Sequence, residues 1–425
     1  MQHKFNGYQC SLCGATYGVE EVSYTCPKDG GNLDVLLDIE ALHNLSPKQL
    51  ILTKEQSLWR FLPLLPVGDP KGYHTPLRVA GSTPVFKPEK LAQELGTGNL
   101  WIKDESRNPT ASFKDRASAV VVARAREIDA EVIVTASTGN AGAALAGMAA
   151  AVGQKAVIFA PRNAPPAKVA QLLVFGAKVL LVDGTYDDAF DLTIQAAEEF
   201  GWYCRNTGYN PFTAEGKKTA AFEIWEWALR IASNDEEAHL ESAANLLSRL
   251  SVFVSVGDGN IISGIHKGFK DLQRLGWIDR MPRLFGVQAE GSAAIANAFL
   301  AGAESITPVS ASTLADSISV DLPRDGIRAV RAARETNGAY ILVSDGEIIA
   351  SIATLGEVGI FAEPAGATSY AGFLRAIRSG VIGVDDPVLI INTGSGLKDV
   401  KAAMEAVSPA PVIEPSLAAV KRVLK

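Results

Sequence analysis

The sequence predicts an α/β protein made of two parallel-sheet domains, with a small ribbon ahead of them. Short apolar runs of strand length alternate with helix-length segments along most of the chain. Several of these runs end in Gly- or Asn-rich turns that open the next helix. A Cys-x2-Cys pair, followed by a Cys-Pro-Lys-Asp-Gly-Gly turn, stands apart before residue 40. Strand and helix in alternation imply parallel strands with helices on both faces.

The first segment, residues 1–40, reads as a zinc-ribbon-like unit. Its two knuckles carry Cys10, Cys13, Cys26 and, where a fourth cysteine would stand, Asp29. Carboxylate oxygen can ligate zinc as thiolate does. Two readings stay open: a Cys3Asp zinc site, and a ribbon that has kept its fold and lost its metal. Cys204 is remote in sequence and reads as an ordinary buried thiol. Between residues 75 and 205 the pattern predicts strands over 132–134, 156–160 and 178–182, and a helix over 166–175 that stops at Gly176. A charged helical stretch over 234–248 reads as a surface helix or connection. A second strand–helix series runs over 250–391, with strands over 252–256 and 388–391 and a helix over 261–272. The expected division is a large domain of 41–120 with 206–425, and a small domain of 121–205.

Composition bounds the class. The 425 residues are 47% hydrophobic and 20% charged, ordinary for a globular enzyme. Net charge is −7 and no stretch is densely basic, which argues against nucleic acid as a partner. No apolar run approaches the ~20 residues of a membrane helix. The opening Met1-Gln2-His3-Lys4-Phe5 lacks a signal-peptide core, and four cysteines make no disulfide framework. A cytoplasmic protein is expected.

Four loops carry chemistry. Asn108-Pro109-Thr110-Ala111-Ser112-Phe113-Lys114-Asp115-Arg116 sets one lysine among small and hydroxylated residues, ahead of a helix expected over 117–126. A Schiff-base lysine must be reachable, desolvated and held still. Ser137-Thr138-Gly139-Asn140 follows an apolar strand and opens an Ala/Gly-rich helix, whose free N–H groups make an anion site for a carboxylate. Gly257-Asp258-Gly259-Asn260 lies between strand and helix, where backbone N–H groups cradle phosphate. The Asp258 carboxylate would repel phosphate, so its side chain is expected to turn away. Asn392-Thr393-Gly394-Ser395 follows another buried strand and offers hydroxyls for a ring nitrogen.

With these motifs in this order, the chain resembles the tryptophan-synthase-β-like, fold type II pyridoxal 5'-phosphate (PLP) enzymes, and within them the threonine synthases. Trp59 to Pro66, Ser82-Thr83-Pro84, Asn210-Pro211 with Glu215-Gly216-Lys217-Lys218-Thr219, and Glu363-Pro364-Ala365 add to the resemblance, which covers roughly residues 55 to 405. It implies a homodimer with PLP in a cleft between two α/β domains. The implied reaction turns O-phospho-L-homoserine and water into L-threonine and phosphate by γ-elimination and β-addition. Lys114 would hold the cofactor and move the protons. Asn140 would meet the ring hydroxyl, residues 257–260 the cofactor phosphate, and Thr393 or Ser395 the ring nitrogen. Ser137, Thr138 and Gly139 would hold the substrate carboxylate.

A threonine synthase must also hold a second phosphate. Many family members have a threonine where this chain has Ala141, and an arginine where it has Thr213. The expected replacements are Ser82, Thr83, Lys103, Lys218 and Arg324. The alternative reading is a related PLP lyase that removes water or ammonia from serine, threonine or diaminopropionate, which needs no second phosphate site. The five histidines, His3, His43, His74, His239 and His266, read as structural or surface residues.

Overall fold

The computed structural model describes residues 5–424 apart from 43, 52 and 233–235. His3 and His43 therefore lie outside the described residues, as do the start of the predicted 234–248 helix and the side chain of His239. A three-stranded antiparallel sheet opens the chain, with Phe5–Cys10 between Thr16–Tyr17 and Leu33–Leu37. The ribbon forms as predicted.

Two further sheets follow. The larger has six strands, ordered Ala339–Val343, Arg283–Ala289, Ser251–Ser255, Val388–Asn392, Leu100–Asp104 and Val85–Phe86. All its neighbours pair in parallel except the edge strand Val85–Phe86, which runs antiparallel to Leu100–Asp104. The smaller is wholly parallel, ordered Lys178–Val182, Lys155–Pro161, Val132–Ala136 and Tyr203–Cys204. Strands such as Val132–Ala136, Ser251–Ser255 and Val388–Asn392 are buried at every position. This follows from helices covering both sheet faces, and it is why these strands read as continuous apolar runs rather than alternating ones. The six-stranded sheet draws its strands from residues 85–104 and 251–392, and the four-stranded one from residues 132–204.

Helices built from small residues let the layers approach closely. Lys114–Glu127 buries ten of its residues, among them Ala117, Ala119, Ala123 and Ala125. It packs on Asn140–Ala150 and on Phe212–Lys217. A Cβ on Gly216 would lie 2.1 Å from the Arg116 carbonyl oxygen, so that crossing tolerates only glycine. The helix Glu236–Arg249 is not purely a surface element. Its charged residues made it look so, but Ala243 and Leu247 are buried in the core beneath the large sheet. No helix among the described residues is long and apolar enough to cross a membrane.

The loops that carry chemistry all leave carboxyl ends of parallel strands. Lys114 comes after Leu100–Asp104, Asn140 after Val132–Ala136, Gly257 after Ser251–Ser255 and Thr393 after Val388–Asn392. In parallel α/β sheets that edge is where ligands bind, because the helix N-termini point there.

Candidate active site

The four loops converge on one cavity of about 460 Å³ between the two parallel sheets, and Lys114, Ser137 to Ala141, Gly257 to Asn260 and Thr393 all line it. Lys114 is the first residue of its helix rather than part of the loop before it. The turn that delivers it is fixed on both sides. Thr110 N–H and its hydroxyl bond the Asp115 carboxylate, the amide at 2.6 Å, and Ala111 takes a positive φ of 64°. Phe113 N–H donates to the Thr393 carbonyl at 2.9 Å, and Ser395 N–H to the Ala111 carbonyl at 3.1 Å. The lysine turn and the Thr393 turn are thus stitched to each other.

Burial lowers the Lys114 pKa below that of an ordinary lysine; Glu363 opposes the shift and Arg205 adds to it. An amine so placed is held closer to its neutral, nucleophilic form. Glu363 is itself buried, its pKa raised by desolvation, and it accepts a 2.7 Å bond from the Asn140 amide. The Asn140–Ala150 helix presents its N-terminal turn to the cavity behind Gly139. A Cβ on Gly142 would collide with the Ser137 carbonyl oxygen at 2.4 Å, so glycine is what lets this turn fold back so tightly.

The glycine turn is equally constrained. Gly259 has φ +90°, and a Cβ there would sit 2.7 Å from both the Asp325 carbonyl oxygen and Ala329 Cβ. Asp258 accepts from Arg324 N–H at 3.2 Å, and burial raises its pKa. The carboxylate is engaged by that backbone N–H while Asp258 still lines the cavity. Asn260 donates to Asp325 at 2.6 Å and accepts from Lys217 Nζ at 2.5 Å and from the Thr213 hydroxyl at 3.2 Å.

Several expected site residues are elsewhere. Lys103 is buried with its Nζ 2.7 Å from Glu223 and 3.1 Å from the Thr83 carbonyl. The Thr83 hydroxyl donates to Glu105 at 2.6 Å, and Ser82 N–H donates to Glu223 at 2.7 Å. None of the three lines the cavity. They belong to a network centred on Arg116, which bonds both Glu105 and Glu223. Lys218 is also internal, 2.6 Å from Glu215 and 2.8 Å from Asp271. Arg324 pairs with Asp187 at 2.7 Å and lies over the Phe190 ring. Ser395 caps Leu397 N–H at 3.3 Å and is not part of the cavity wall, whereas Thr393 is.

Two cations that sequence reasoning passed over matter here instead: Lys217 in the cavity wall, and Arg205, whose charge acts on both Lys114 and Lys217. The Lys217 pKa is driven well below the ordinary value by burial and then by the Lys114 and Arg205 charges. Arg205 is fully buried, bonds Thr207 through NH1 at 2.6 Å, and leaves NH2 without a partner. Burial lowers its pKa to about 10. Among the described residues, no carboxylate lies within ion-pair distance of Lys114, Lys217 or Arg205. The signal for Lys217 was its spacing: it lies four residues after Thr213, on the same helix face.

These residues fit PLP. A cradle that a Cβ would fill, a helix N-terminus and a desolvated lysine without an acidic partner are what an anionic aldehyde requires. Comparison with known proteins agrees. The sequence profile of the family described as pyridoxal-phosphate dependent enzyme matches residues 77–394. The threonine synthase of Methanocaldococcus jannaschii is 37% identical over 420 residues, 98% of this chain and 99% of the relative. The chain belongs to this family of PLP-dependent enzymes, and within it to the threonine synthases. The threonine synthase of Methanosarcina acetivorans is 36% identical over 98% of both chains, and that of Mycobacterium tuberculosis is 34% identical over 82% of this chain and 91% of its own. Among solved structures, tomato threonine deaminase isoform 2 superposes with a TM-score of 0.64 at 23% identity, covering 86% of this chain and 99% of that one. Maize serine racemase gives 0.62 at 23% identity over 74% and 88%. These two likenesses show the fold.

Proposed function

We propose that this PLP enzyme converts O-phospho-L-homoserine and water to L-threonine and phosphate. The observation that carries the reading is the pairing of a PLP-type pocket with two buried cations, Lys217 in its wall and Arg205 near enough to act on it, that lack carboxylate partners among the described residues. A second phosphate needs such charge, and a serine or threonine lyase does not. Thr213, where the family resemblance leads one to expect an arginine, and Lys217 both touch Asn260 Oδ1 from one helix. The cation missing at one position is thus supplied one turn later.

PLP, when bound, supplies an electron sink for carbanions formed beside the substrate nitrogen. Residues 257–260 would hold its phosphate, Asn140 its ring hydroxyl and Thr393 its ring nitrogen. A neutral Thr393 hydroxyl would leave that nitrogen largely unprotonated. The turn of Ser137, Thr138 and Gly139 would hold the substrate carboxylate at the helix N-terminus, with the Ser137 N–H itself engaged by the Phe159 carbonyl at 3.0 Å. Lys114 Nζ, its pKa lowered by burial, takes and returns protons at the substrate carbons. Lys217, Arg205 and Thr207 hold the leaving phosphate, and charge-assisted bonds to it contribute about 1.5–3 kcal/mol each.

The test is a substrate panel. Phosphate and threonine released from O-phosphohomoserine, at a rate well above keto-acid and ammonia formation from serine, threonine or diaminopropionate, supports the reading. The reverse order makes the enzyme a lyase of small unphosphorylated amino acids.

A further inference from the structure

We propose that the N-terminal ribbon is a closed structural zinc site with ligands Cys10, Cys13, Cys26 and Asp29, and that it braces the walls of the active-site cavity. The four ligand atoms lie within 4.8 Å of one another. Tetrahedral zinc, with Zn–S of about 2.3 Å and Zn–O of about 2.1 Å, places its ligands about 3.8 Å apart for two sulfurs and about 3.6 Å for sulfur and oxygen. Cys13 Sγ and Cys26 Sγ are 3.8 Å apart, and Cys10 Sγ lies 3.3 and 3.6 Å from the two Asp29 oxygens. Two opposite edges of a zinc tetrahedron are therefore already present, and the other ligand pairs lie within 4.8 Å. A Cys13–Cys26 disulfide would need the sulfurs at about 2.05 Å.

The two knuckles are built alike. In each, the residue after the second ligand is a glycine with positive φ, Gly14 at 72° and Gly30 at 71°. Each glycine N–H returns to the carbonyl of the first ligand, at 3.1 Å on Cys10 and 2.8 Å on Cys26. Outer contacts orient the ligand atoms. Leu12 N–H points at Cys10 Sγ from 3.3 Å, Gly31 N–H at Asp29 Oδ1 from 2.9 Å, and the Tyr17 hydroxyl is 3.0 Å from Cys26 Sγ. Three thiolates with one carboxylate and a closed geometry select zinc over hard oxygen-seeking cations.

The ribbon reaches the cavity walls directly. The Asn32 amide donates to the Gly208 carbonyl and, at 2.9 Å, to the Arg324 carbonyl. Gly208 adjoins Thr207 of the cavity wall, and Arg324 is bonded to Asp258 of the glycine turn. Tyr24 accepts from Cys204 N–H at 2.9 Å and stacks on Tyr209 at 4.6 Å. Arg328 bridges Asp34 of the ribbon to Asp325, which holds Asn260. Losing the metal would loosen the segment from which these contacts are made.

The full chain, purified with reductant and without chelator, should hold a single zinc ion by elemental analysis. Exchange for Co²⁺ should give the visible bands of tetrahedral cobalt thiolate. Cys13→Ser and Asp29→Ala should lose the metal, while Asp29→Cys, if the ribbon folds, should retain it. Stripping zinc should lower PLP affinity several-fold, read by cofactor fluorescence. Reduced wild-type protein that takes up neither Zn²⁺ nor Co²⁺, or Cys13→Ser protein that keeps a full equivalent, overturns the metal site. Zinc loss that leaves PLP affinity unchanged overturns the bracing role.

Discussion

Lys103 and Lys217 are both buried to 1% exposure or less, yet their surroundings are opposite. Lys103 sits against Glu223 at 2.7 Å and Glu105 at 3.8 Å, inside a network with Arg116 and Arg60. Lys217 touches the Asn260 amide oxygen, with two other cations nearby and, among the described residues, no carboxylate in ion-pair contact. A buried charge with a full set of counter-charges is part of the scaffold. A buried charge without one is unstable until an anion arrives. The scaffold group takes in Lys103, Arg116 and, in a second cluster, Lys218 and Lys267 with Glu215 and Asp271. The group awaiting anions is Lys114, Lys217 and Arg205.

The largest effect expected from this division is at Lys114. Lys114→Ala should lower turnover by more than about 1,000-fold, the upper range for a lost proton-transfer group. It should also abolish borohydride trapping of PLP, with the folded circular-dichroism spectrum retained. Wild-type turnover with trapped cofactor at another lysine would break the assignment.

Next comes the scaffold group. Arg116→Met leaves Glu105 and Glu223 facing each other in a site that excludes water. The loss should be about 3–5 kcal/mol, as for other broken buried ion pairs, measured by urea unfolding of the apoenzyme. If Arg116→Met costs less than Lys217→Met, the distinction between the two groups fails.

How much of this was legible in the sequence depends on the distance over which the information acts. The strand over 178–182 and the helix beginning at Pro166 were readable because periodicity and the Gly176 stop are local. The turn lining the cavity at 257–260 was readable because strand, glycine turn and helix form one continuous signal. The Lys114 helix began three residues early because Asp115 turns back to bond Thr110. The choice of cations failed for a different reason. Lys103 is neutralised by Glu223, 120 residues away, and no local pattern encodes that pairing. Adjacent Lys217 and Lys218 point to different sides of the chain, one toward Asn260 and the other toward Asp271. Helical phase separates them: only Lys217 shares a face with Thr213. That phase was present in the sequence and is the signal that could have separated them.

Lys217→Met provides a sharper test of the group awaiting anions. The change keeps the side-chain length and removes a desolvated charge, so stability should stay within about 1 kcal/mol of wild type. Losing one charge-assisted contact to phosphate should raise the KM for O-phosphohomoserine about 10- to 100-fold, with PLP affinity unchanged. A fall in PLP affinity with KM unchanged would assign Lys217 to the cofactor phosphate instead.

The smallest effect is on protons. Burial first, then the Lys114 and Arg205 charges, hold the Lys217 pKa well down while no anion is bound. A phosphate placed beside Nζ favours the ammonium form and raises that pKa. Binding should therefore take up a fraction of a proton at any pH between the two values, and by linkage affinity should fall as pH rises through that window. Below about pH 6 the phosphate itself loses its second charge, which limits the gain on the acid side. Calorimetry of a non-hydrolysable phosphonate analogue of the substrate, in buffers of different ionisation enthalpy, reads this uptake directly. Lys217→Met should reduce it. An uptake unchanged in that variant would move the responsive charge to Lys114 or Arg205, and Lys217 would cease to be the counterpart of Lys103.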